Sequence, residues 1–231
     1  MKKVLVLVAA ISLFAAPAFA AGITNTKHNL SASSSNTYKA DTNTELCVFC
    51  HTPHGGVIGG NAPLWNRTNV AGTLTLYNSA TLDQTNSNPA TVSAAILDSD
   101  APLCLSCHDG ASLTGALKNP SNAFTVAENT SGLAEIGSGM ALIGNDLSND
   151  HPIGMDYGNV ATASGATEFV APTLAATGDK VGTVNPLNLY GPSGNSVMWC
   201  SSCHDVHNGA NAPFLAAANT GSALCLTCHV K

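Results

Sequence analysis

The chain has 231 residues and a formal net charge of −6, and only 10% of its residues are charged, against roughly a quarter in an ordinary soluble domain. Eight lysines and arginines against fourteen acidic residues argue against a nucleic-acid binder, and 45% hydrophobic content argues against simple disorder. With 5% aromatics, 21 glycines, 11 prolines and 65 serines, threonines and asparagines, the chain lacks the side chains for a large core of its own.

Lys2 and Lys3, the apolar run Val4 to Ala16 and the small-x-small site Ala18-Phe19-Ala20 read as a secretory signal peptide over residues 1–20. The mature chain is expected to start near Ala21, unanchored and more negative than −6, and to form one domain over 21–231. No later stretch reaches the ~18 apolar residues of a membrane span. Gly72 to Tyr77 alternates Thr and Leu, a strand pattern. Asn88-Pro89-Ala90 predicts a helix through Thr91 to Leu97, and Asp100-Ala101-Pro102 predicts another just before Cys104. Residues 109–199, with Pro152, Pro172, Pro186 and Pro192, read as turns with short strands. Asn219 to Cys228 reads as a final helical stretch.

All eight cysteines fall in one pattern. It occurs as Cys47-Val48-Phe49-Cys50-His51, Cys104-Leu105-Ser106-Cys107-His108, Cys200-Ser201-Ser202-Cys203-His204 and Cys225-Leu226-Thr227-Cys228-His229. In an exported chain eight cysteines would otherwise suggest disulfides. The spacing points elsewhere, because C-x-x-C-H is the attachment sequence of c-type haem. Two cysteines on one turn form thioethers with the porphyrin vinyl groups, and the adjacent His ligates the iron. Cys₄ zinc sites would not need a His after every pair, and a dithiol oxidoreductase would usually carry one motif. Four covalently bound haem c groups are therefore expected. The expected fold class is a multihaem cytochrome c: mostly irregular chain, short helices at the motifs and little strand, wrapped around the haems.

Four histidines, His51, His108, His204 and His229, are the expected proximal ligands, and four others remain: His28, His54, His151 and His207. Four irons with two histidines each use all eight, which closes the metal to substrates and suits electron transfer. His54 lies three residues after His51, and His207 three after His204. Positions i and i+3 share a helical face, so neither can reach the far side of its own iron. A reciprocal pairing is expected, with His54 on the third haem and His207 on the first. His151 precedes Pro152, which suits a ligand presented from a loop, with Asp150 a candidate to orient it. His151 and His28 are left for the second and fourth haems, in either order.

Lys27 to Ser31, Cys47 to His54, Ala62-Pro63-Leu64-Trp65, Leu103 to Gly110, Ser148 to Gly154, Cys200 to His207 and Leu224 to His229 spread over nearly the whole mature chain. This string resembles the doubled-CXXCH multihaem c-type cytochromes of metal- and electrode-reducing microbes. More narrowly, it resembles the tetrahaem outer-surface cytochrome E group, which assembles into extracellular nanowire filaments. The resemblance implies a secreted homopolymer serving long-range anaerobic respiration, with other redox cytochromes and extracellular electron acceptors as partners. It also implies one distal ligand supplied by the adjacent subunit, for which His28 on the terminal arm is the candidate. Two alternatives stand beside it. One is a monomeric periplasmic electron shuttle, against which the scarcity of lysine counts. The other is a multihaem reductase of a small nitrogen substrate, which needs an iron with an open position.

Overall fold

The structure, a computed structural model, describes residues 22–56, 64–67, 74–77, 79, 99–110, 117–119, 136–164, 167–177, 180–184, 186–191 and 196–231. The signal peptide, the helix expected over 88–97 and the first two residues of the strand expected over 72–77 lie outside them.

Helix α1 (Ala101–His108) forms where Asp100-Ala101-Pro102 signals it, with the proline in the first turn, where a missing N–H costs nothing. Helix α2 (Tyr157–Ala163) was not indicated by the sequence pattern. Gly158, Val160 and Thr162 are poor helix formers. The helix is held instead by its Asp156 cap, which accepts from Asn159 N at 3.2 Å, and by burial of Tyr157, Val160 and Ala161. Three short strands follow within the segment read as turns and strands: β1 (Thr173–Thr177), β2 (Lys180–Val184) and β3 (Leu187–Tyr190). They form an antiparallel meander in that order, with Thr173 opposite Thr183 and Val184 opposite Leu187. Strand β3 alternates as a half-buried strand should, Leu187 and Leu189 inward.

Helices α3 (Cys200–Cys203) and α4 (Ala223–Cys228) carry the third and fourth motifs. The continuous helix expected over Asn219 to Cys228 is corrected. A 3₁₀ turn, Thr220–Ser222, precedes α4, and Gly221 and Ser222 both take positive φ, 62° and 64°, which ends helical continuity. The strand pattern at Leu74 to Tyr77 is also corrected. Thr75 makes one isolated bridge to Asp146, while Leu74 and Leu76 pack beside Ala101 and Leu105. The alternation reflects one-sided burial without a ladder.

The apolar interior is divided into three clusters among the described residues. One joins Tyr157, Val160, Leu187 and Leu189 with Cys228. The second centres on Phe49, Ala40 and Ile136, with Cys50 and Cys107 against it. The third is Ala101 and Leu105, with Cys200 against it. Motif cysteines border every cluster, so the apolar surface is organised around the attachment points. Among the described residues no helix is long and apolar enough to cross a membrane.

Candidate metal centres

All eight cysteines are free thiols. Burial pushes the Cys50 thiol up to about 12 and the Cys203 thiol up to about 11, and raises Cys107 and Cys228 as well. Cys104 is raised first by a hydrogen bond with Cys200 and then by burial. Raised thiols of this kind are not the low-pKa cysteines of a redox-active dithiol. Among the described residues, the one cluster of metal-ligating type is Asp100, Cys104 and Cys200, which is not a Cys₄ zinc site.

The motif histidines stand at the ends of the short turns and helices, and three of them, His51, His108 and His229, face another histidine ring. His51 and His207 have ring centres 6.1 Å apart and planes inclined by 20°. His28 lies 6.0 Å from His108 at 58°. His151 lies 6.4 Å from His229 at 80°. Two imidazoles on opposite sides of one metal, each nitrogen about 2 Å from it, have ring centres roughly 6 Å apart. The donor set therefore fits haem iron at three of the four motifs. His204 and His54 are both exposed, and no ring contact joins them among the described residues.

Backbone carbonyls select the tautomer. Nδ1 of His108 lies 2.6 Å from Ala141 O, Nδ1 of His204 lies 3.2 Å from Pro213 O, and Nδ1 of His151 lies 3.1 Å from Pro152 O. A proton held on Nδ1 for these bonds leaves Nε2 bare for a metal and makes the ring a stronger donor. The orienting partner of His151 is thus the next carbonyl, not Asp150. His28 is stacked on Phe214, 4.4 Å between centres and 18° between planes. Its terminal arm folds back on its own chain, with Asn36 Nδ2 donating to Thr26 O and Asn29 O. Burial, then His108, His204 and His207, pull its basicity down to about 4, so it remains a neutral donor.

Residues outside the motifs tie them together. Asn66 is fully buried. Its N–H donates to Cys50 O at 2.9 Å, its side-chain amide donates to Val48 O and Asn119 O, and its Oδ1 accepts from Asn119 N. Trp65 meets His51 edge-on at 5.9 Å. Tyr157 Oη donates to Val170 O at 2.7 Å and Cys228 O at 3.2 Å, anchoring the fourth motif. Asp100 accepts from Cys200 N and Ser201 N. Sequence reasoning missed these four as site residues. Asn29 and Asn66 open Asn-x-Ser/Thr sequons but are 4% and 0% exposed, which leaves no room for a glycan; the sequon at 129 lies outside the described residues.

Paired thiols followed by an imidazole, with a second imidazole one metal away at three of the motifs, define a site for covalently bound haem c, the group of electron-transfer proteins. A family model described as the doubled CXXCH motif matches residues 193–231, which hold the third and fourth motifs, consistent with a multihaem cytochrome c. A comparison with curated proteins finds no match.

Proposed function

We propose that the protein carries electrons along four covalently bound haems, each with two axial histidines, as a subunit of an extracellular cytochrome filament. The observation that carries this reading is the repeated ring spacing of 6.0–6.4 Å at three separate motifs. Haem iron so ligated supplies reversible one-electron chemistry without a substrate position. The chain holds the thioether points and fixes the imidazole tautomers. His207 serves the first motif, His28 the second and His151 the fourth.

The motifs follow one another in space as in sequence. Cys50 and Cys107 border one cluster. Cys104 and Cys200 sulfurs lie within 4.8 Å. The Cys203 thiol is raised partly by Cys228. This supports an electron path running first, second, third, fourth.

The remaining ligands, His54 and His204, support assembly. With His28 already set against His108 and Phe214 of its own chain, the histidine shared between subunits is His54, reaching His204 of another copy. The net charge of −6 gives no attraction between like subunits, so a shared ligand and packing must supply it. Other redox cytochromes and extracellular acceptors are the partners in this reading, and the outer surface its location. Electron microscopy of secreted holoprotein tests it. Filaments from the natural chain, and their loss in His54→Met with haem content retained, are expected. A monodisperse monomer with four low-spin haems would establish the shuttle instead.

A further inference from the structure

We propose that Asp100 is a positioning residue that clamps the second and third haem-attachment segments together and lodges a fixed negative charge between their haems. The inference rests on the reading of four haems above. Asp100 occupies the cap position of α1 yet makes no side-chain bond to that helix. Pro102 offers no N–H there, and Ser99 Oγ takes the Ala101 N–H at 3.0 Å. The carboxylate is thereby released to act across the fold. Oδ1 accepts from Cys200 N at 3.0 Å and Oδ2 from Ser201 N at 2.8 Å. One residue thus begins the helix of the second motif and caps the helix of the third.

The consequence for the cofactors is geometric. A carboxylate oxygen of Asp100 and the sulfurs of Cys104 and Cys200 all lie within 4.8 Å of one another. Each sulfur would be the thioether point of its own haem, so the carboxylate would stand beside an attachment point of both. No cation ion-pairs with Asp100 among the described residues. The junction of the first and second motifs differs, because Arg67 and Asp109 act on Cys107 there with opposite sign. An unbalanced negative charge at a half-buried site favours the ferric state of both neighbours and lowers their potentials.

Asp100→Asn and Asp100→Glu in the full haem-loaded chain test the proposal. Haem content by pyridine haemochrome is measured first, then the potential of each haem by redox titration followed by NMR. In Asp100→Asn, two of the four potentials rise, those of the second and third haems. In Asp100→Glu, which keeps the charge, they stay close to the natural values. If Asp100→Asn does not mature, Asp100→Gln replaces it, the neutral counterpart of Asp100→Glu. Four unchanged potentials in the neutral variant, or a uniform rise of all four, would overturn the proposal. A natural chain with other than four haems would overturn the underlying reading and not the role of Asp100.

Discussion

His51 and His207 face each other with nearly parallel rings, whereas His151 and His229 cross at 80°. Parallel imidazole planes on one iron reinforce the same π interaction and split its d-orbitals strongly; crossed planes leave them almost degenerate. The ferric protein is therefore expected to show low-spin electron paramagnetic resonance of two types. The first haem gives a rhombic signal. The fourth, and in lesser degree the second with its 58° angle, give highly anisotropic ones. Four identical rhombic signals would contradict the ring geometry.

The same pairing sets the outcome of His207→Met. The side chain is exposed, so the exchange costs little in folding. Thioether is a weaker donor than imidazole and stabilises ferrous iron, so one potential rises and a sulfur-to-iron absorption band appears. Spectroelectrochemistry reads both. An unchanged spectrum with an unchanged potential sinks the assignment of His207 to the first haem.

The local part of the site was readable from sequence, and the distant part was not. The attachment turns, the helix opening at Asp100-Ala101-Pro102 and the three-residue offset of His207 from His204 are short-range patterns, each with a stereochemical meaning. Asn66 looked like a sequon, and Asp100 like an ordinary helix cap. Their partners, Asn119 and Cys200, are set by the fold and leave no spacing rule in the chain. Helix α2 was missed for a related reason. Gly158, Val160 and Thr162 are weak helix formers, and burial beside Leu187 and Leu189 of β3 decides its conformation.

Asn66→Ala follows from that long-range role. The substitution strips partners from Val48 O, Asn119 O and Asn119 N around a site with no solvent access. Each buried group left unpaired costs about 1–3 kcal/mol, so a loss of roughly 3 kcal/mol or more is expected. Denaturant titration of the holoprotein checks this. A change under about 0.5 kcal/mol, the range of ordinary surface substitutions, would show that Asn66 does not tie the first motif to residues 117–119.

Tyr157 fixes the alkaline limit of the fold. Burial raises its phenol above the ordinary value of 10.0. The folded chain therefore keeps a proton that the unfolded chain releases above pH 10. Its contribution is complete below that pH and is lost as pH rises further. Thermal melts of the holoprotein should be flat in this respect up to about pH 10 and fall beyond it. In Tyr157→Phe the melt is lower at neutral pH, through loss of the bonds to Val170 O and Cys228 O, but its fall above pH 10 is shallower. Parallel curves for the two proteins would reject the assignment.

The division of the apolar interior leads to the last prediction. Three clusters lie beside motif cysteines, and none forms a large continuous core among the described residues. Leu142 and Ile143 are exposed at 38% and 37% in the segment that bonds the His108 carbonyl. Folding without haem thus leaves apolar surface in water, worth about 25 cal/mol per Å² that haem would bury. It also gives up the restriction on chain entropy that covalent attachment brings. Protein produced without haem attachment is expected to show no cooperative thermal transition and no fixed near-ultraviolet circular dichroism, while the haem-loaded protein shows both. A sharp melt of the haem-free chain would mean that the three clusters suffice on their own, and the haems would then be passengers in the fold instead of its core.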